Sequence, residues 1–395
     1  MKQKTVLTAF GGASPEHEVS VITAHQAMAA LTESKEYVVK PLYISKSGRW
    51  LTGDVLLDLK NFENLKNLEK SCLPCHFSLN EFGLTVLSEE TKGFFAKPMV
   101  TRIDTVLSAF HGSNGENGAF QGVCEMFNLP YTGSNVLSSA LGMDKVIAKK
   151  LCGSEGIPVV EGFDFFEESW AENPDAIFAK VDKLNYPVIV KPVHLGSSIG
   201  VNVAKNREDL EQAIELAFRY DRHLLIEKVV SPLMEINCSV LGSGSSCKVS
   251  VCEKPLGKEE LLSFQDKYLA EEGSKGMAAA DREIPADIPG KLTKDIQETA
   301  KQVFTLLGCS GLARLDFLVD AESNKFYFNE INTIPGSFSF YLWKESGISF
   351  TQLLKKMIDI AIEEHQLKSR QIQSYDTNLL SKKAVTGIKG LKANK

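Results

Sequence analysis

The sequence of 395 residues lacks the marks of membrane, exported and nucleic-acid-binding proteins. No apolar stretch approaches the roughly 20 residues needed to span a bilayer, and the N-terminal residues show no signal-peptide pattern. The net charge is -6 at pH 7, whereas a general nucleic-acid binder usually carries a basic excess. We therefore expect a cytoplasmic protein that acts on small molecules, with neither a membrane nor a nucleic acid as its partner.

Cysteines are few and scattered. Eight of them in a chain without a signal sequence are expected to be free thiols. The run Cys72-Leu73-Pro74-Cys75-His76 has the spacing of a c-type haem attachment site and could also be half of a zinc site. Haem attachment of this kind belongs to exported proteins, and no second pair lies at zinc-finger spacing. We therefore interpret this run as a coincidence.

Length and composition predict several ordinary globular domains. A typical domain has about 100 to 150 residues, so this chain should contain two or three. Its 43% hydrophobic and 24% charged residues are usual for a folded protein. A boundary is expected near residue 137, and the polar, basic residues 368–395 are expected to form a loosely ordered tail.

Two predicted strands near the C-terminus carry the strongest functional signal. Residues 312–319 and 325–331 are apolar and aromatic, and the polar break between them suits a hairpin. Residues two apart in a strand point to the same side, which pairs Arg314 with Asp316 and Glu330 with Asn332. Mg²⁺ is usually held by one or two carboxylates plus nucleotide phosphates. The hairpin therefore predicts a magnesium site, the alternative being a surface hairpin with solvated charges.

Glycine loops follow two strands of the N-terminal part. The strand 5–10 leads through Gly11-Gly12 into the helical pattern 21–31, which is the start of an α/β unit. The strand 105–110 runs into a second glycine-rich loop, 111–118, at the strand end where open α/β sheets place ligands. Residues 50–100 are expected to elaborate this domain, without an assigned role.

The central part carries a candidate phosphate loop. Lys191 leaves the predicted strand 187–192, and the loop 194–201 contains Gly-Ser-Ser-Ile-Gly. One charge and several backbone donors suit phosphate oxygens, although this is not a Walker A motif. The alternative is a flexible turn beside a surface lysine. The next strand, 223–230, ends in residues suited to an adenine edge and a ribose.

Three helices are predicted from apolar spacing, and the first also carries polar site candidates. The pattern 136–151 contains Asp144 and Lys145. The pattern 292–307 is amphipathic and stops at Gly308, and another helix begins near Ser349. The last two are predicted to supply core rather than site residues.

Together these motifs resemble the D-alanine:D-alanine ligases of the ATP-grasp superfamily up to about residue 365. The resemblance implies an α/β protein of three domains with an α+β ATP-grasp part. These are an open α/β domain at 1–137, a central domain at 138–232 and a C-terminal domain at 233–367. It rests on 11–20, 110–122, 143–145, 190–192 with 196–200, 314–316 and 330–336.

The resemblance also implies site residues. The ATP-binding residues would be Lys145, Lys191, Ser198, Glu227, Lys228, Val230, Glu235 and Lys267. Two Mg²⁺ ions, or Mn²⁺ in their place, would be held by Asp316, Glu330 and Asn332. The catalytic residues would be Glu16, Ser197, Tyr268, Arg314 and Gly336, and the substrate-binding residues Glu16, His111, Lys267, Ser337 and Ser339.

The implied activity is ATP-dependent joining of two D-alanines through a D-alanyl phosphate, for peptidoglycan precursor synthesis. Arg314 and the Gly336 N–H would stabilise an oxyanion, and Glu16 would bind the first substrate's ammonium. Tyr268, on a lid loop, would form a triad with Ser197 and Glu16. The tyrosine favours an amine acceptor over a hydroxy acid, and the resemblance suggests a homodimer.

The segment after Gly336 departs from the family, in which it is longer and carries a serine for the second substrate's carboxylate. Ser337 or Ser339 would have to replace that serine, and Glu227 and Glu235 are one residue further apart than usual. Two alternatives therefore stay open. One is the same chemistry with a different second substrate, and the other is a nucleotide-binding homologue that has lost catalysis.

Overall fold

The computed structural model describes residues 3–90, 98–256, 282–372 and 374. The tail prediction for 368–395 falls largely outside these residues. Within them no helix combines the length and the apolar character needed to cross a bilayer. Chain order alternates strands and helices in an α/β arrangement that contains three larger sheets.

The first sheet has seven strands in the order β6-β5-β4-β3-β2-β1-β7. Only β1 pairs in parallel, with β2 on one side and β7 on the other. Residues 50–102 add β3 to β6, so the unassigned stretch extends this sheet. Its strands are β1 (Lys4–Gly11), β2 (Tyr37–Ile44), β3 (Trp50–Thr52), β4 (Leu73–Leu79), β5 (Thr85–Glu89), β6 (Met99–Arg102) and β7 (Thr105–Ser108).

Helices α1, α2 and α3 accompany this sheet, and two short 3-10 turns precede α2. Gly11 ends β1 at φ 94°, where an added Cβ would lie 2.2 Å from the Ile44 carbonyl oxygen, so only glycine fits this turn. The helices are α1 (His17–Ser34), α2 (Leu65–Ser71) and α3 (Ala119–Met126), and the turns are Asp54–Leu57 and Leu59–Glu63.

The second sheet is antiparallel in the order β10-β9-β11-β8. Helices α7 and α8 pack against it through Val181, Leu210 and Ile214, all fully buried. Its elements are β8 (Gly162–Phe166), α6 (Glu167–Glu172), α7 (Pro174–Leu184), β9 (Val188–Pro192), β10 (Asn202–Ala204), α8 (Arg207–Ala217) and β11 (His223–Lys228).

The third sheet is antiparallel in the order β13-β12-β16-β17. Strands β14 and β15, which lie between β13 and β16 in the sequence, form a separate two-stranded sheet. The predicted hairpin is confirmed as β16 and β17. The strands are β12 (Leu233–Ser243), β13 (Ser246–Val249), β14 (Lys254–Pro255), β15 (Arg282–Glu283), β16 (Ser310–Asp320) and β17 (Phe326–Asn332).

Helix α9 (Gly290–Leu306) covers the third sheet. Apolar residues three and four apart, such as Ile296, Ala300 and Val303, give the helix one buried face. The predicted helix and its stop are confirmed, since Gly308 follows at φ 66°. The short turn Gly336–Ser339 leads into α10 (Phe340–Glu345) and α11 (Phe350–Ser369).

Helix α11 returns to the N-terminal part of the chain. Ser349 and Gln352 form a capping box at its start. Leu353 and Met357 then join the core that contains Leu31 of α1. The last helix therefore packs on the first one.

One predicted helix is wrong as a single element. The pattern 136–151 is broken into α4 (Val136–Met143) and α5 (Lys145–Ser154). Asp144 between them has an extended backbone, and its side chain accepts a hydrogen bond from Ile147 N to cap α5. Apolar periodicity does not show such a break, because both helices keep an apolar face.

All eight cysteines are free, as expected. Cys75 and His76 are neighbours on β4, so their side chains point to opposite faces, one buried and one exposed. The haem-like run therefore forms no common ligand site.

Phe304 tests the core under the third sheet. Phe304→Ala should lower stability by about 3–5 kcal/mol, because it leaves a cavity at a fully buried position. The change is read as a drop in melting temperature, with exposed Lys301→Ala as the control in the same helix. Equal melting temperatures for the two variants would contradict this packing.

Candidate active site

A cleft lies between the second and third sheets. Residues of β9, β10 and β11 form one wall, residues of β12, β16 and β17 form the other, and the start of α5 reaches into it. Its lining mixes apolar side chains with three cations and three acids. These charged residues are Lys145, Lys191, Lys228, Glu235, Asp316 and Glu330.

The β16–β17 hairpin brings several polar groups together at its wall of the cleft. Its register sets Arg314 opposite Asn332 and Asp316 opposite Glu330. Asn332 Nδ2 donates to Asp316 Oδ2 at 3.1 Å. The predicted layer of two carboxylates, an amide and a guanidinium is therefore confirmed as a structural feature.

Arg314 and Asp316 form a two-pronged ion pair. Nε and Nη2 of Arg314 donate to the two carboxylate oxygens at 2.7 Å each. Burial by itself would lower the pKa of Arg314, but the Asp316 carboxylate outweighs this and raises it well above its usual value. The guanidinium is a permanent, fixed cation.

Lys145 connects the helix start to the hairpin. Its ammonium donates to the Leu195 carbonyl oxygen and lies 3.2 Å from Glu330 Oε2. Asp144 caps the helix that carries it. One lysine thus joins α5, the candidate phosphate loop and a predicted metal ligand.

The candidate phosphate loop has a strained backbone. Ser197 and Ser198 have φ of 55° and 58°, in the left-handed region that non-glycine residues rarely occupy. Such conformations cluster at ligand sites and can turn successive N–H groups into an anion-binding concavity. The loop therefore has a specific, strained backbone conformation, which distinguishes it from a flexible turn.

Glu227 lies buried behind the cleft, between two lysines. Its carboxylate accepts from Lys149 and, at 2.8 Å, from Lys191, whose ammonium also donates to Asn329 Oδ1 at 3.0 Å. Burial would raise the pKa of Glu227, but the lysine charges lower it to about 2. Burial lowers the pKa of Lys149 to about 8. The Glu227 carboxylate thus holds the ammonium of Lys191 in place near the phosphate loop.

A second, smaller cavity shares Lys145 and Glu330 with the cleft. Its walls add Glu16, Glu116 and Asn332. It therefore adjoins the hairpin on the side of the N-terminal part.

The predicted contact between Glu16 and Ser197 is present, since the serine hydroxyl donates to Glu16 Oε1. The loop at Gly112 must pass close by: an added Cβ there would lie 2.9 Å from Glu16 Oε2. Glu16 thus joins the first glycine turn, the phosphate loop and the loop after β7.

Glu116 and His111 belong to the glycine-rich loop after β7. Glu116 accepts from Gly112 N at 2.8 Å and from Ile334 N at 3.1 Å, which ties this loop to the end of β17. Burial, aided by the charge of Glu16, raises the pKa of Glu116 to about 8. Burial lowers the pKa of His111 to about 3, so its ring is neutral at pH 7.

The segment after Gly336 is strained. Ser337, Phe338 and Ser339 have φ of 50°, 53° and 44° in succession, a conformation costing on the order of 1–3 kcal/mol per residue. The hydroxyls of Ser337 and Ser339 are buried and have no hydrogen-bond partner among the residues that the structure describes. Thr23 bridges this segment to His111, because its Oγ1 accepts from Ser337 N at 3.0 Å and lies 2.9 Å from His111 Nε2.

The structure brings ten of the nineteen predicted site residues to the walls of the two cavities. Six others line neither of them: His111, Ser197, Arg314, Gly336, Ser337 and Ser339. Glu227 supports the cleft from behind instead of lining it, and Lys267 and Tyr268 lie outside the described residues. The walls of the cleft include Lys145, Lys191, Ser198, Lys228, Val230, Glu235, Asp316 and Glu330, and those of the smaller cavity include Glu16, Glu330 and Asn332.

Lys149 and Glu116 were missed by the sequence reasoning. Lys149 lies four residues after Lys145, on the same face of a helix, and that spacing could have indicated it. Glu116 is an acid inside a glycine-rich loop after a strand, a weaker signal. The burial of both depends on distant parts of the chain.

The donors around the cleft fit a nucleotide with magnesium. Asp316, Glu330 and Asn332 offer carboxylate and amide oxygens, the ligands that hard divalent ions prefer. Lys145 and Lys191 supply positive charge for phosphates next to a strained backbone loop.

Comparisons with known proteins agree with this geometry. Residues 5–134 match the family described as "D-ala D-ala ligase N-terminus", and residues 151–359 match "D-ala D-ala ligase C-terminus". The D-alanine--D-alanine ligase of Thermosipho melanesiensis is 42% identical over 376 residues, 94% of this chain and 96% of that one. That of Caldicellulosiruptor bescii is 37% identical over 380 residues, 93% and 98% of the two chains.

Solved structures show the same architecture. The D-alanine-D-alanine ligase from Coxiella burnetii superposes with a TM-score of 0.76 at 30% identity, covering 94% of this chain and 97% of that one. The VanG D-Ala:D-Ser ligase from Enterococcus faecalis gives 0.75 at 30% identity, covering 91% and 100%. Fold and cleft are those of an ATP-dependent ligase of the ATP-grasp class. Within that class, the chain belongs to the D-alanine–D-alanine ligase family.

Glu227 tests the buried charge cluster. Glu227→Gln should lower stability by about 3–5 kcal/mol at neutral pH, because it leaves two buried ammonium groups without their carboxylate. Glu161→Gln is the control, since it removes an exposed carboxylate paired with Lys228. A melting temperature no lower than that of the control would contradict the pairing.

The pH dependence of the same variant has a defined sign. A carboxylate with a lowered pKa stabilises the fold above its unfolded pKa of roughly 4.3 and loses that effect toward its folded pKa. The difference in melting temperature between wild type and Glu227→Gln should therefore be full above pH 5 and shrink toward pH 2.

Proposed function

We propose that the protein joins two D-alanine molecules into D-alanyl-D-alanine while ATP becomes ADP and phosphate. The product would enter peptidoglycan precursor synthesis, and the use of ATP suits a cytoplasmic enzyme. The observation that supports this proposal is the position of Lys145 next to Glu330. Both residues line the cleft and also the smaller, acid-lined cavity, so the two cavities meet at this pair. A phosphoryl donor on one side and a small amino acid on the other would meet there.

The cleft would hold ATP with two Mg²⁺ ions, or Mn²⁺ in their place. Asp316, Glu330 and Asn332 would be the metal ligands, and the metals would neutralise phosphate charge during transfer. Lys145 and Lys191 would contact phosphates. Ser198, Lys228, Val230 and Glu235 lie in the cleft walls and would contact the nucleotide, and Glu227 would act by holding Lys191.

The smaller cavity would hold the first D-alanine. Glu16 would bind its ammonium, and Ser197 would orient Glu16 through their hydrogen bond. A carboxylate oxygen of this D-alanine would attack the γ-phosphorus of ATP, ADP would leave, and an acylphosphate would form. Tyr268 and Lys267, which lie outside the described residues, would complete the site and exclude water.

The second amine would then attack the carbonyl carbon, and phosphate would leave as the amide bond forms. Negative charge builds up on the carbonyl oxygen at that step. Arg314, fixed by Asp316, and the Gly336 N–H would stabilise it. A donor in this role is commonly worth about 3 kcal/mol.

The carboxylate of the second substrate would bind Ser337 and Ser339. Their hydroxyls are buried and without partners, which an arriving carboxylate would correct. His111 would support them through Thr23, which bonds to the Ser337 backbone. This assignment gives the shortened segment a carboxylate receptor.

A different acceptor is the second candidate. The segment after Gly336 is shorter than in the family, and one structural relative is titled a D-Ala:D-Ser ligase. D-Serine would present the same carboxylate with one more hydroxyl. A non-catalytic homologue is disfavoured, because Asp316, Glu330 and Asn332 carry side chains suited to metal, and Lys145 and Lys191 carry side chains suited to phosphate.

The chain would be organised in three domains, at 1–137, 138–232 and 233–367. The three larger sheets support this division. The central sheet has its own core, whereas the core around α1 is shared with Leu353 and Met357 of α11. A homodimer is the assembly we expect, since two-fold dimers are the commonest symmetric oligomers.

The reaction is tested by phosphate release from Mg-ATP with D-alanine, and the product is identified by mass spectrometry. Wild type should form D-alanyl-D-alanine. Asp316→Asn should lose at least about 100-fold in kcat, because it replaces a carboxylate among the metal ligands. Asp320→Asn, in the exposed turn of the same hairpin, is the control. A product made only with another acceptor would favour the second candidate.

The two serines are tested separately. Ser337→Ala and Ser339→Ala should raise KM for the second D-alanine roughly tenfold or more, because a hydrogen bond to a charged group is worth about 1.5–3 kcal/mol. KM for ATP should stay unchanged. Unchanged KM for both substrates would remove the carboxylate assignment.

A further inference from the structure

Two histidines and an aspartate meet at the outer end of the phosphate loop, apart from the cleft walls. Asp144, His194 and His223 each place one possible ligand atom within 4.8 Å of the other two. They are brought together by the cap of α5, the first residue of the phosphate loop and the start of β11. Nothing in the proposed ligation uses them.

Each histidine has one ring nitrogen held by a further carboxylate. His194 Nδ1 lies 2.9 Å from Asp221 Oδ2, and His223 Nε2 lies 2.9 Å from Asp164 Oδ2. Metal-ligating histidines almost always have such a partner on the second nitrogen, which fixes the ring and its tautomer. His194 Nε2 and His223 Nδ1 are the nitrogens left for a ligand.

The two carboxylate oxygens of Asp144 likewise have separate partners. Asp144 Oδ1 caps α5 by accepting from Ile147 N at 2.9 Å, and Oδ2 lies 3.3 Å from His194 Nε2. Two ligands at zinc bond lengths of about 2.0–2.1 Å and a tetrahedral angle are about 3.3–3.4 Å apart. The pair thus already has the spacing of two zinc ligands.

We propose that Asp144, His194 and His223 form a binding site for one zinc-class divalent cation. Two imidazoles and a carboxylate favour Zn²⁺ over Mg²⁺, which prefers oxygen ligands alone. The side chain of His194 is 46% exposed, which leaves a path for entry. Water would take the fourth position.

The site connects the start of α5 with the phosphate loop, the two segments that we expect to contact phosphate groups. Asp144 precedes Lys145, and His194 precedes Leu195, whose carbonyl oxygen accepts from Lys145. A bound cation would therefore fix the phosphate loop against the start of α5. Its role is structural, and it does not depend on which amino acid is the acceptor.

The test uses the full-length protein with Mg²⁺ in large excess, so that the oxygen-ligand sites are filled. Zn²⁺ is titrated against a chromophoric chelator, and the retained metal is counted by mass spectrometry. Wild type should retain one zinc per chain. His194→Asn and Asp144→Asn should each weaken binding at least about 100-fold, since even outer partners of metal ligands matter 10- to 100-fold.

The variants are chosen to fold. His194 is half-exposed, and asparagine at position 144 can still cap α5. Exposed His76→Asn, on β4, should retain zinc like wild type. X-ray absorption of the wild-type zinc should show two imidazole ligands.

Two outcomes would overturn the proposal. Wild type without retained zinc would leave His194 as a hydrogen-bonded clamp between two aspartates and no more. Zinc retained equally by His194→Asn and Asp144→Asn would place it elsewhere. D-Alanine ligation without zinc binding would sink this inference alone, whereas zinc binding without ligation would leave it standing and count against the proposed function.

Discussion

The site depends on buried cations that are each held by a carboxylate. Arg314 is gripped at two points by Asp316, and Lys149 and Lys191 share Glu227. Isolated charges would be very costly in such surroundings. The pairing keeps positive charge fixed next to the cleft, where the proposed reaction would place phosphates and a developing oxyanion. The sheets and helices around the cleft serve to keep these pairs dry and fixed.

Other polar contacts connect separate parts of the chain. Lys145 links α5 to β17, and Glu116 links the loop after β7 to the end of β17. Glu16 contacts Ser197 across a separation of 181 residues. The contacts of Glu16 and Glu116 join loops of the first sheet to the phosphate loop and to the end of β17, so a change in the position of one sheet alters the smaller cavity. The arrangement suits a reaction in which a nucleotide, an amino acid and a closing loop must be aligned together.

Runs of left-handed non-glycine residues occur in two segments of the described chain, while single ones such as Lys35, Asn185 and Asn324 lie elsewhere. The loop at Ser197 and Ser198 and the turn at Ser337 to Ser339 contain consecutive non-glycine residues in the left-handed region. Buried hydroxyls without partners occur in the second of these segments. Both features cost stability in the free protein. Ser198 of the first segment lines the cleft, which supports a functional reason for the strain there.

The sequence by itself determined the local elements and the chemistry of the hairpin. The alternation of apolar and polar residues in β16 and β17 placed Arg314 with Asp316 and Glu330 with Asn332, because side-chain direction in a strand has a period of two. The recurrence of motifs in order was enough to indicate the family. Only the tertiary structure decided the break at Asp144, the burial of Glu227 between two lysines, and the positions of Lys149 and Glu116. Burial and charge pairing depend on residues far apart in the chain, and no local pattern records which of them become neighbours.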